Sequence, residues 1–112
     1  MNIHSYYTEG GKDLILSYIL ALPMEERIDG LSVLENIENN QMDSLMVKVW
    51  EKKVLEVYFR KHNRIYYVVQ DDENIYLLFA GRKQKNKTEK KDARLIRNRA
   101  KELGKILNRK FV

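Results

Sequence analysis

The sequence predicts an α+β fold: two N-terminal helices, a curved antiparallel sheet of three or four strands, and a C-terminal helix. All of it is expected in a single domain over residues 1–112. Three observations carry this. Apolar residues recur at helical spacing over residues 12–39, the period falls to two between residues 46 and 80, and helical spacing returns after residue 88. A chain of 112 residues fits one domain with one ordinary core.

Gly10–Gly11 punctuates the start. Leu14, Ile15, Tyr18, Ile19 and Leu22 then mark a helix over 12–22. Pro23 is expected at the first position of a second helix, where a missing N–H costs nothing, with Glu25 and Glu26 suited to the helix dipole. Met24, Ile28, Leu31 and Leu34 give that helix an apolar stripe, and Asn39–Asn40 ends it. Residues 46–50 form a short strand and Lys52–Lys53 a turn. Residues 54–60 alternate, with Leu55, Val57 and Phe59 on one face and Glu56, Tyr58 and Arg60 on the other. Lys61-His62-Asn63 is a short hairpin connection, with Asn63 able to take positive φ. Strands follow at 64–69 and 75–80, separated by a turn over 71–74. Short connections make the set a meander. Thr88 is the expected N-cap of the last helix, whose Ala93, Ile96, Ala100, Leu103 and Leu107 form an apolar stripe on an otherwise Lys- and Arg-rich surface.

Charge is unevenly placed. Residues 1–81 hold 8 basic and 13 acidic side chains, and residues 82–112 hold 13 basic and 3 acidic. A block with that excess repels itself, and an anionic partner relieves it: nucleic acid or an acidic protein on one reading, a merely solvated helix face on the other. There is no cysteine, which excludes disulfides, thiolate metal sites and cysteine nucleophiles. Two histidines, His4 and His62, are too few for a histidine-built metal site, and no metal or other cofactor is expected. No apolar run is long enough to span a membrane, and no secretory signal precedes residue 12, so a cytoplasmic protein with no membrane partner is expected.

No serine nucleophile motif or phosphate-cradling glycine loop is present. What the chain offers instead is cations at strand ends. In a meander the turn after 54–60 and the segment after 75–80 share one end of the sheet. Arg60, His62 and Arg64 are therefore expected to converge with Arg82, Lys83, Lys85 and Lys87. Converged permanent cations suit in-line attack on a phosphodiester, because they stabilise charge building on the non-bridging oxygens. In RNA the neighbouring 2′-hydroxyl supplies the nucleophile, arginine fits phosphate as a planar fork, and aromatic rings stack bases. The plainer alternative makes Arg60 and Arg64 exposed edge residues or partners of Glu56. Tyr66 and Tyr67 are adjacent, so at most one shares a face with the cations.

The stretch 54–88 resembles the RelE/ParE toxin superfamily, in particular its HigB-like, phage-derived branch. The resemblance rests on Val54-Leu55-Glu56-Val57-Tyr58, then Arg64-Ile65-Tyr66-Tyr67, then Leu77-Leu78-Phe79-Ala80-Gly81, and the loop Lys83-Gln84-Lys85-Asn86-Lys87-Thr88-Glu89. The branch's arginine in the first strand is Tyr58 here, with Arg60 two residues on; its histidine is Phe79, its phenylalanine Gly81 and its final proline Glu89. The resemblance implies a RelE-like fold and the toxin of a type II toxin–antitoxin pair. Such a toxin is a metal-independent mRNA endonuclease, working on mRNA at the ribosome and inhibiting translation and growth. A cognate helix-turn-helix, HigA-like antitoxin neutralises it, and operator DNA is reached only through that antitoxin. On this reading Arg60, Arg64, Lys83, Glu56 and Tyr67 form the catalytic set, with Tyr67 as structural support. Arg82, Lys85, Lys87, Lys90, Lys91, Lys52 and Lys53 grip RNA. The rival readings are a gyrase-directed toxin of the ParE type and a non-enzymatic nucleic-acid-binding regulator.

Overall fold

In the computed structural model, which describes residues 1–83 and 88–112, Asp13 opens the first helix, α1 (Leu14–Leu20). Its carboxylate accepts from the backbone N–H groups of Ile15 and Leu16 at 3.0 and 2.9 Å, satisfying two donors a helix start leaves free. Helix α2 (Met24–Glu38) begins one residue later than expected: Pro23 has ψ of 156°, outside the helical range, and is the N-cap. Asn39 closes α2.

The sheet has five strands and is mixed, correcting the expectation of three or four antiparallel ones. Its order is β1 (Asn2–His4), β5 (Asn74–Arg82), β4 (Asn63–Val69), β3 (Val54–Phe59), β2 (Met46–Glu51). The unforeseen strand is β1, which runs parallel to β5. Three residues are too few for a visible period, and it is held by tertiary contacts: the terminal ammonium donates to the Glu38 carbonyl, and the His4 ring stacks on Tyr76. The tight turn between β3 and β4 puts Lys61 and His62, rather than Asn63, at positive φ (58° and 66°), because Asn63 already belongs to the β4 ladder.

Helices cover both faces of the sheet. Ile15, Ile19, Val33 and Ile37 of α1 and α2 pack on Val57, Phe59, Ile65, Tyr67, Ile75 and Leu77. On the other face Ile96 and Ala100 of α3 (Lys90–Leu107), with Phe111, pack on Val54, Tyr66, Val68 and Leu78. The N-cap of α3 is Glu89, not Thr88, whose hydroxyl hydrogen-bonds the Tyr66 hydroxyl at 2.9 Å. No helix among the described residues is long and apolar enough to cross a membrane.

Candidate functional site

Two bulges decide which side chains meet. Asn63 to Tyr66 pair with Arg82 to Phe79, but Tyr67 pairs with Leu77, so Leu78 is an extra residue in β5. Alternation therefore slips, Leu78 and Phe79 both face α3, and every later residue of β5 changes sides. Lys83 consequently lies on the α3 face, while Arg82 turns to α2. In the same way, Trp50 is an extra residue in β2. An unbulged hairpin pairing Glu51 with Val54 would set Val49 opposite Glu56, whereas the bulge sets Lys48 there.

Glu56 is the centre of the resulting cluster. It is 1% exposed, and its carboxylate lies 3.1 Å from Lys48 Nζ, 3.3 Å from Lys83 Nζ and 3.7 Å from Arg64 Nε. Arg64 and Lys83 are themselves buried, and Lys48 reaches in from the surface. Gly81 stands opposite Arg64 in the ladder and contributes no side chain there. The Arg64 guanidinium lies 4.3 Å from the centre of the Tyr58 ring and donates through Nη1 to the Asn63 carbonyl. Its Nε–H is buried and has no hydrogen-bond acceptor among the described residues. Burial pushes the Lys83 ammonium below the ordinary lysine pKa; Glu56 opposes this, and neighbouring Lys48 and Arg64 add to it.

The cluster opens to solvent. A groove of about 470 Å³ is lined by Leu45, Met46, Val47, Lys48, Glu56, Tyr58, His62 and Arg64. A second hollow of about 310 Å³ takes in Trp50, Lys83, Thr88 and Arg97 and shares Lys48 and Glu56 with the first. Such a surface offers an anion fixed donors at little reorganisation cost. Among the described residues, no three or more His, Cys, Asp or Glu side chains gather as metal ligands would.

Of the expected site residues, Glu56, Arg64 and Lys83 come together. Arg60 does not: β3 ends at Phe59, the chain turns, and the guanidinium donates to Asp29 at 2.6 Å and Glu25 at 3.0 Å, one turn apart on α2. Arg82 joins Glu26 on that same side at 2.5 Å. Tyr67 also lies on the α1/α2 face, fully buried, while Tyr66 is the tyrosine on the cluster's face. Lys52 and Lys53 occupy the turn at the other end of β3, Lys53 standing three residues from Glu56, or about 10 Å along the strand. Lys90 and Lys91 are exposed in the first turn of α3. Lys85 and Lys87 lie outside the described residues. Sequence reasoning missed Lys48, whose only signal is a lone cation amid Met46, Val47 and Val49.

Fold and cluster together define a small three-layered α+β domain with cations gathered on a buried carboxylate near one end of its sheet. The chain belongs to the family described as phage derived protein Gp49-like (DUF891), whose model matches residues 17–101, a family of RelE-like toxins of toxin–antitoxin systems. No curated protein matches the chain.

Proposed function

We propose that this chain is the toxin of a toxin–antitoxin pair and an endoribonuclease that cuts mRNA on the ribosome without a metal. A cognate helix-turn-helix antitoxin neutralises it. The observation that carries the reading is the gathering of Arg64, Lys83 and Lys48 on the single carboxylate of Glu56 beside a groove, where the Arg64 Nε–H, 3.7 Å from Glu56, has no hydrogen-bond acceptor among the described residues. Three cations on one carboxylate leave net positive charge at the groove, and a phosphate, which takes arginine as a planar fork and lysine as a point charge, is an anion suited to balance it.

In this mechanism the RNA backbone crosses the groove with its scissile phosphate against Arg64, Lys83 and Lys48. The 2′-hydroxyl gives up its proton to water and attacks phosphorus, the bond to the 5′-oxygen breaks and that oxygen takes up a proton, leaving a 2′,3′-cyclic phosphate and a 5′-hydroxyl, while the cations meet the charge that grows on the non-bridging oxygens. Glu56 keeps three like charges together in the resting protein, which without it would repel one another. Lys90 and Lys91, with Lys85 and Lys87, grip the flanking backbone.

The test is induction of the chain in cells, with and without the adjacent reading frame, followed by primer extension on a reporter transcript. Arg64→Ala and Lys83→Met are each expected to lower cleavage about a hundredfold or more, the usual effect of removing one transition-state donor. Arg60→Ala, which acts on the other side of the sheet, is expected to stay near the wild-type rate. Intact transcripts in cells whose chromosome is breaking would instead favour a gyrase-directed toxin. Unchanged cleavage by Arg64→Ala would remove this site.

A further inference from the structure

Behind the cluster, on the opposite face of the same strand ends, lies a second polar network, with Asn63 and Glu26 buried, Tyr18 half-buried and Arg82 exposed at its rim. Asn63 and Arg82 are ladder partners at the start of β4 and the end of β5. Both reach one oxygen of Glu26 on α2: Asn63 Nδ2 donates to Oε1 at 2.9 Å and Arg82 Nη2 at 2.5 Å. The Asn63 side-chain oxygen accepts from the Tyr18 hydroxyl of α1 at 2.5 Å, and its amide also donates to the Arg60 carbonyl. Asn63 is 0% and Glu26 3% exposed. The next residue along each strand is a member of the Glu56 cluster. Arg64 follows Asn63 within β4, and Lys83, the first residue past β5, follows Arg82 with its N–H still donating to the His62 carbonyl at 2.8 Å, so alternation sets both on the face opposite their neighbours.

We infer that Glu26, acting with Asn63 and Tyr18, is a positioning residue that fixes the strand ends from behind and so sets the placement of Arg64 and Lys83. A buried ionic network is weak evidence for stability, since well-packed apolar groups serve as well or better. What it supplies is direction: one carboxylate oxygen with two donors allows few placements of the Asn63 and Arg82 backbones, and Arg64 and Lys83 inherit that restriction. An apolar contact would leave the strand ends free to slide by an ångström, enough to spoil a transition-state contact.

The inference rests, for its consequence in catalysis, on the endoribonuclease reading above, so the experiment has two arms. In the first, exchange of the Arg64 Nε–H with solvent is followed by NMR, with the Nε–H of Arg97, held by Glu51 at 2.9 Å, as an internal reference. Glu26→Ala is expected to speed Arg64 exchange about tenfold or more and leave Arg97 unchanged, because local opening becomes easier only at the clamp. Tyr18→Phe deletes one hydroxyl, leaves the fold intact and is expected to move Arg64 in the same direction by less. In the second arm, single-turnover cleavage of mRNA on programmed ribosomes is measured with folded protein in excess. Glu26→Ala is expected to lower the maximal rate about tenfold to a hundredfold with the half-saturating concentration within about twofold. Glu26→Gln, whose amide oxygen still accepts from both donors, is expected to restore most of the rate, whereas a purely structural role would show as loss of folded protein at an unchanged rate. Unchanged Arg64 exchange in both Glu26→Ala and Tyr18→Phe overturns the inference, as does a wild-type rate in Glu26→Ala. If the wild-type protein cleaves no mRNA on the ribosome, the endoribonuclease reading fails, and the exchange arm still decides whether Glu26 positions the cluster.

Discussion

Glu56 offers the sharpest stability test at the level of single residues. Its carboxylate is buried, and so are Arg64 and Lys83 beside it, while Lys48 can swing into water. Removing one member of a buried ionic cluster leaves the others uncompensated, at about 3–5 kcal/mol. Glu56→Leu should therefore lower the unfolding free energy by about that amount in urea titrations, and adding Lys83→Met should recover part of it through a coupling of about 1–3 kcal/mol. A loss below about 1 kcal/mol would mean that solvent already screens the cluster. Tyr66 and Tyr67 give a second test, in pH. Burial raises both hydroxyls to about 12. A raised pKa means the native state keeps protons that the unfolded state releases, so their contribution is complete below pH 10 and is lost as pH climbs through about 12. Absorbance of phenolate should show these two ionising last, together with base-induced unfolding in that window. Which residues would meet was partly legible in the chain. Glu56 and Arg64 belong to strands whose character is plain; Lys83 and Arg60 are each the first residue past a strand, and which face each takes there depends on the bulge in β5 and on the turn after β3, neither of which the sequence displays.

At the scale of elements, what escaped sequence reasoning was parity rather than existence. The three hairpin pairs, β2–β3, β3–β4 and β4–β5, are legible from strand-forming runs and turn residues, and α1 and α2 from apolar spacing. The bulges at Trp50 and Leu78 were not, since one extra residue leaves composition and period almost unchanged yet flips every side chain beyond it. Strand β1 was invisible for a different reason, because its pairing partner lies some seventy residues away. Gly30 of α2 shows packing overriding propensity. In an exposed helix interior, Gly→Ala gains roughly 1 kcal/mol. Here an added Cβ would sit 2.9 Å from Ile19 Cγ2 and 3.0 Å from Phe59 Cε2, so α2 would have to lift off both α1 and the sheet. Overpacking of this kind costs about 1–3 kcal/mol, and it wins. Gly30→Ala should lower the thermal midpoint in calorimetry; a higher midpoint would show that α2 floats on the sheet more loosely than these distances imply.

For the molecule as a whole, the charge asymmetry of the sequence becomes a spatial one only in part. Several cations of the basic C-terminal block are engaged at home: Arg97 with Glu51, Arg99 with the Leu78 carbonyl and the Tyr6 ring, Arg82 with Glu26. Lys90, Lys91, Arg94, Lys101 and Lys105 remain exposed along α3. Counting net charge therefore overstates the grip on a polyanion, and the salt dependence of binding measures what is left. If RNA lies across the groove and the start of α3, about four phosphates are neutralised. The logarithm of the binding constant for a single-stranded oligonucleotide should then fall with the logarithm of salt concentration at a slope of about −3. Lys90→Gln with Lys91→Gln should flatten that slope by about 1 to 2, with similar losses on unrelated sequences, as expected of contacts to backbone rather than bases. Lys52→Gln with Lys53→Gln, at the other end of β3, should leave the slope alone. Fluorescence anisotropy at several salt concentrations separates the two pairs. Equal effects from both would mean that RNA is held by the diffuse positive field of the domain and not by an oriented track leading to Arg64 and Lys83.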